Sequence, residues 1–233
     1  MNIHNRENIK NHLLLELPDE DLERVLQKLT HVDLPAGKSL FHPHQTIEHI
    51  YFPKHSMISV VAYTETGQGS EVAVIGVEGA AGISALFGAE STPYESMAQL
   101  PDGAFQMKIK DAREEFERGG AFQRIILRFA SRLLVQISQT SLCNRVHSVE
   151  KRLSRWLLMC RDRYYTDTMP ITHEFLAIML GSNRTSVSLT AAELQRAGLI
   201  AHTRGRVHIR DRYGLEQFAC SCYRVIADEY GIT

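Results

Sequence analysis

The residues best placed to do chemistry in this chain are hydrogen-bond donors gathered over a short stretch: Asn183, Arg184, Thr185, Ser186 and Ser188. At helical spacing Arg184, Thr185, Ser188 and Gln195 leave a polar strip with few acids. A planar guanidinium can fork onto guanine O6 and N7, and a threonine can meet a thymine methyl or a base acceptor. Ser186 and Thr172 suit phosphate oxygens, which set register without carrying sequence information. Arg204 and Arg206 flank Gly205 and add a basic tip. This is recognition chemistry. Bond-making chemistry has no counterpart: there are no paired carboxylates in a motif, no nucleophile elbow and no Walker loop, and Gly76–Gly82 is not followed by Lys-Ser/Thr. The chain is therefore not expected to be an enzyme. The competing reading is a helical hairpin with a solvated polar face, but such a face usually carries Glu as well as Lys.

These residues need a frame, and the stretch 170–210 supplies one. Thr172 can cap a helix running to about Leu180, and Gly181 can end it. Ser182 or Asn183 can cap a second helix to about Ala197, ended by Gly198. Phe175, Ile178 and Met179 form an apolar face on the first helix; Val187, Ala191 and Leu194 do so on the second. Two helices joined by a short glycine turn are a helix-turn-helix. Leu199-Ile200 and Val207–Ile209 around Thr203–Arg206 read as a hairpin, which makes the motif winged. A helix of this kind fits the major groove of B-DNA with its N-terminal residues inward.

Charge agrees with that reading. Residues 145–212 hold 12 Lys and Arg against 6 Asp and Glu, whereas the whole chain holds 26 against 27. The basic excess is local, which suggests a polyanion for that segment. With 233 residues, one large or two modest domains are expected. No apolar stretch is long enough for a membrane span. The polar N-terminus lacks the core of a signal peptide, so a cytoplasmic location is expected. Cys143, Cys160, Cys220 and Cys222 lack a zinc-type spacing and are read as reduced thiols. Cys220 and Cys222, in a helical pattern, would point to different sides.

Taken in order, residues 13–29 read as a short amphipathic helix started at Pro18-Asp19, followed by a turn at 32–37. From Ser39 to about Ile109 the pattern is that of short strands: 50–53, 57–63, 70–76, 95–100 and 103–109. Such strands predict a barrel or jelly roll. Residues 77–91 form a small-residue loop that could present N–H groups to an anion or simply turn the chain. A long helix is predicted from about Ala121 to Asn144. Its apolar stripe of Phe122, Ile126, Phe129, Leu133 and Ile137 could pair with a second copy or pack on its own barrel. Val149, Leu153, Trp156, Leu157 and Cys160 give a further helix its core. Arg145, Lys151, Arg152, Arg155, Arg161 and Arg163 line its remainder, mostly as a solvated face. A last helix is expected from about Tyr213 to Tyr230.

This order of parts resembles the Crp/Fnr superfamily of bacterial transcription regulators over nearly the whole chain. The most specific stretches are 143–163, 171–200 and 220–230. The resemblance implies an α+β fold: a cyclic-nucleotide-binding-like β-roll over 1–118, a dimerisation helix over 119–145, and a winged helix-turn-helix DNA-binding domain over 146–233. It implies that Arg184 reads an operator and that Thr185 and Ser188 tune the sequence read. Expected partners are double-stranded DNA, a second copy of the chain and RNA polymerase, with no membrane; a signalling module whose winged domain contacts protein is the alternative. The dimer contact is assigned to Ile126, Phe129, Leu133 and Ile137. An effector pocket is assigned to Glu78, Gly79, Gly82, Tyr94 and Glu95. There the chain departs from the cyclic-AMP pattern: Tyr94-Glu95 falls where an Arg-Ser pair neutralises the phosphate, and no Lys or Arg occurs from Gly76 to Met107. Tight cyclic-AMP binding is therefore not expected, and the effector is unknown. No cofactor or metal is expected. Iron–sulfur ligation would need cysteines near the N-terminus, and His42, His44, His49 and His55 are read as surface residues rather than metal or haem ligands.

Overall fold

The computed structural model describes residues 6–231. It divides into two compact units, residues 1–60 with 74–133, and residues 61–73 with 134–233. The first five residues of the polar N-terminal segment lie outside the described residues.

In the first unit α1 (His12–Leu15) and α2 (Asp19–Leu26) precede the strands. The helix expected to start at Pro18-Asp19 is α2, with Pro18 as its N-cap, while residues 13–15 belong to the separate α1 and the helix ends at Leu26 rather than 29. Strand β1 (Leu29–Leu34) occupies what reads as a turn in sequence, pairing antiparallel with β7 (Asp102–Lys108). Its burial is confined to its two ends, Leu29 and Leu34, so no alternation marks it as a strand. Strands β2 (Ser39–Phe41), β3 (His49–Pro53) and β6 (Glu95–Leu100) follow, with the start of β4 (Met57–Tyr63) and the end of β5 (Gly69–Ile75), whose residues 61–73 belong to the second unit. The sheets have strand orders β1-β7-β3 and β2-β6-β4-β5. Their inward residues, among them Phe52, Phe105, Met57, Ala98 and Leu100, are fully buried.

Helix α3 (Ile109–Glu117) carries Glu115, whose side chain is wholly buried and receives Arg24 and Lys28, each at 2.8 Å. Burial alone would raise this carboxyl's pKa; the hydrogen bonds from Lys28 and Arg24 outweigh it and hold the group below the ordinary range. Helix α4 (Gly120–Val146) runs for 27 residues.

The second unit contains α5 (Val149–Tyr164), β8 (Thr168–Met169), α6 (His173–Met179), α7 (Arg184–Arg196), β9 (Ile200–Thr203), β10 (Arg206–Ile209), α8 (Arg212–Phe218) and α9 (Ser221–Tyr230). Its sheet has the order β8-β10-β9. Two arginines of α5 are core residues rather than a solvated face. Arg163 is 1% exposed and lies 5.0 Å from the centre of the Tyr230 ring, and Arg155 is 3% exposed and donates to Thr140. Long aliphatic stems and a flat, weakly hydrated head let arginine enter a core where an aromatic face or a hydroxyl meets it. Trp156 donates from Nε1 to Glu71 at 2.8 Å, and Tyr223 donates to Asp162 at 2.7 Å with Arg212 on the same carboxylate.

Candidate nucleic-acid interface

Helix α7 is fixed by its inner face. Val187, Ala191 and Leu194 are buried as the spacing predicts, with Thr190 beside them. That burial turns Arg184 and Thr185 outward, where both are exposed. Asn183 caps the helix by accepting from Ser186 N at 2.8 Å, and Thr172 caps α6 by accepting from Phe175 N at 3.2 Å. Each cap uses an oxygen as acceptor. The Asn183 amide and the Thr172 hydroxyl therefore keep a donor for an outside acceptor. Between the helices Gly181 has φ +54, and a Cβ there would come 2.9 Å from Ser70 Oγ. The turn is further tied by Arg152, which donates to the Leu180 carbonyl at 2.8 Å.

Four features of this surface are not visible in the sequence pattern. On α6 the buried face is Leu176, Ala177 and Met179, while Ile178 is exposed. Of the expected face Phe175, Ile178 and Met179, only Met179 is fully buried and Phe175 is half-buried. Ser188 and Gln195 are held from within: Ser188 bonds His173 Nδ1 at 3.0 Å, and Gln195 accepts from His202 N at 2.8 Å. Gln195 therefore supports the wing. Leu189 stands 63% exposed on the outer face, an apolar contact the polar strip did not include. Glu174 lies 3.7 Å from Arg184, both well exposed, so the strip does border an acid.

His173 and His202 stack with ring centres 4.0 Å apart. Burial, and for His173 also the neighbouring His202 and Arg184, lowers both pKa values below the ordinary histidine value of 6.5. The wing is the β9–β10 hairpin, with Thr203 opposite Arg206. Arg204 at φ +29 and Gly205 at φ +77 form its two-residue turn. Positive φ at both central positions matches the twist of the flanking strands. Arg204 and Arg206 are both exposed.

Residues 151–218 match the family of Crp-like helix-turn-helix domains. This part of the chain is a Crp-like helix-turn-helix domain. The fold as a whole is that of the Crp/Fnr regulators. A CRP-family transcriptional regulator from Thermus thermophilus superposes with TM-score 0.69 at 19% identity, covering 81% of this chain and 96% of that one. FixK2 from Bradyrhizobium japonicum gives 0.71 at 13%, covering 82% and 98%. The c-di-GMP responsive regulator CLP from Xanthomonas campestris gives 0.69 at 14%, covering 83% and 100%. No curated protein matches the chain.

Beyond the Crp-like domain, the structure distributes the expected effector residues over different surroundings. Glu78 turns back onto its own loop, accepting from Gly76 N at 3.2 Å. Gly79 faces α4, and a Cβ there would strike the Phe129 ring at 2.4 Å, so packing accounts for this glycine. Gly82 has φ +91 and sits 2.8 Å, by the same measure, from the His49 carbonyl. Tyr94 is 42% exposed, and Glu95 lies 3.9 Å from His42 Nδ1. A cleft of about 410 Å³ opens beside Phe41, Gln45, Glu48, His49 and Tyr51, and none of the five expected residues lines it.

The long helix needs a correction. Phe122, Ile126 and Phe129 are buried at 0–1% exposure, with Phe129 against Gly79 of the same unit. Ile126 and Phe129 are thus core residues and have no surface to give a second chain, while Leu133 and Ile137 are half-buried. The free apolar residues lie on the opposite side of α4: Leu127, Leu134, Leu142 and Val146, all about half exposed or more.

The cysteines also depart from the sequence reading. Cys143, His147, Cys220 and Cys222 come together with their ligand atoms all within 4.8 Å of one another. Among the described residues this is the one such grouping of His, Cys, Asp or Glu donors. Cys143 and His147 are one helical turn apart. Cys220 is the N-cap of α9 with extended backbone, φ −77 and ψ 161, so the rule separating i from i+2 on a helix does not govern it.

Proposed function

We propose that the chain is a sequence-specific DNA-binding transcription regulator acting as a homodimer. The observation that carries this reading is the division of α7 within the Crp-like domain: Val187, Ala191 and Leu194 are buried, and Arg184, Thr185 and Leu189 face out beside the exposed wing arginines. Inserted into the major groove, Arg184 forks onto a guanine and Thr185 with Leu189 meets thymine methyls. Thr172, Asn183 and Ser186 at the caps take phosphates, and Arg204 and Arg206 lie along the backbone.

Dimerisation follows from Leu127, Leu134, Leu142 and Val146, an exposed apolar stripe opposite the buried side of α4. A second copy of the same stripe covers it by two-fold symmetry. Two copies of α7 then meet half-sites about one DNA turn apart, so the operator is an inverted repeat. Cyclic AMP is not a tight ligand in this reading. The stretch Gly76–Met107 offers no cation for its phosphate, and the cleft in the roll is lined by Glu48 instead.

The test is selection of genomic fragments by the purified full chain, with and without a panel of cyclic nucleotides. The expected result is an inverted repeat recovered in both conditions, and a run-off assay with RNA polymerase then reads the effect on transcription. Recovery only with a nucleotide would overturn the account of the sensor. Absence of enrichment in both would overturn the regulator.

A further inference from the structure

The cysteine–histidine cluster lies wholly within the second unit, where α4 ends and α9 begins. We propose that Cys143, His147, Cys220 and Cys222 form a closed tetrahedral zinc site that fastens the last turn of α4 to the first turn of α9. The donor set is the first argument. Three thiolates and one imidazole are a structural zinc set, and zinc imposes a tetrahedron with no open position. Soft sulfur ligands select against magnesium and calcium.

Geometry is the second argument. Zinc–sulfur bonds of about 2.3 Å and zinc–nitrogen bonds of about 2.0 Å give tetrahedral edges of about 3.8 and 3.5 Å. Cys143 Sγ lies 3.4 Å from Cys220 Sγ, and Cys222 Sγ lies 3.6 Å from His147 Nδ1. The widest separation is 4.8 Å, so closing the shell requires a contraction of about an ångström. The three cysteines are 0–5% exposed and none is in a disulfide.

Charge is the third. Zinc with three thiolates carries one net negative charge, which a buried site must offset. Arg155 is 3% exposed, its hydrogen bonds go to Thr140 and Met159, and its Nε has none. Thr140 stands three residues before Cys143 on α4, so the guanidinium bonded to it lies about one helical turn from the cluster. A zinc centre bound by three thiolates would supply a buried negative charge beside that cation. On binding, the three thiols release their protons to solvent and His147 coordinates as the neutral ring.

The segment between Cys143 and Cys220 contains the whole Crp-like domain. Bound zinc would therefore clamp both ends of that domain. The inference is independent of DNA recognition. Its test is the metal content of the full chain purified without chelators, followed by cobalt titration of chelator-stripped protein. The expected results are about one zinc per chain and the intense visible bands of tetrahedral thiolate-bound cobalt. Cys222→Ser and His147→Ala should lose most of the zinc, while Cys160→Ser, a buried cysteine outside the cluster, should keep it. Wild-type protein free of zinc with all cluster thiols open to a thiol reagent would overturn the proposal. So would weak octahedral cobalt bands, zinc retained by Cys222→Ser, or iron or copper in its place. The wild-type measurements stand even if a variant fails to fold.

Discussion

At the scale of single residues, the surface of α7 is held in place before any ligand arrives. His173 holds Ser188, Gln195 holds His202 of β9, and the caps Asn183 and Thr172 each reserve a donor. The stacked pair His173–His202 has a consequence for stability. Both rings have pKa values held below 6.5, so the folded state prefers them neutral. Above that value neither state is protonated and the pair contributes no pH dependence. As pH falls below 6.5 the unfolded chain takes up protons that the folded chain resists, and stability declines. We expect the melting temperature to drop between pH 6.5 and 5 more steeply in the wild type than in His202→Phe; equal slopes would remove this role. The caps and the glycine turn were legible in the sequence because they are local backbone chemistry. The ties on Ser188 and Gln195 were not, because their partners come from other elements.

At the scale of elements, α4 shows why a stripe read from sequence can be assigned to the wrong partner. Phe122, Ile126 and Phe129 follow a helical repeat, and so do Leu127 and Leu134. Only the sheets of the roll decide which side is core. Leu134 is 66% exposed. Leu134→Asp should therefore give monomers on sedimentation with little change in melting. Phe129→Asp should instead cost several kcal/mol of folding stability, since it buries a charge against Gly79. A dimer that survives Leu134→Asp would place the interface elsewhere. The wing makes a separate prediction: Arg204→Ala should weaken binding to all DNA alike and flatten the salt dependence by about one ion. A sequence-selective loss would mean that the wing reads bases. Strands β4 and β6 were found at their boundaries because Pro53, Gly67 and Pro101 punctuate them. Strands β1 and β8 escaped, one being exposed along its middle and the other only two residues long.

At the scale of the whole molecule, the order of roll, long helix and Crp-like domain was legible throughout, because each part has its own period. The cysteine cluster was not, because its pairs lie some 77 residues apart and one member sits at a cap outside helical geometry. Charge follows the same division, with the excess of Lys and Arg confined to 145–212. Within the roll, Glu115 joins α3 to Arg24 and Lys28 of the N-terminal segment. Glu115→Gln should cost roughly 2–3 kcal/mol in denaturant unfolding, through loss of two charge-assisted bonds. An unchanged midpoint would make that network neutral.

In the proposed regulator the outward face of α7 reads base edges. The most direct measurement titrates the wild type and Arg184→Ala against the selected operator and against copies with each base pair changed in turn. The expected result is a loss of about 1–3 kcal/mol for Arg184→Ala on the intact operator, with discrimination relaxed at one base pair in each half-site. An equal loss on every sequence would make Arg184 a phosphate contact and rule out base reading by this residue.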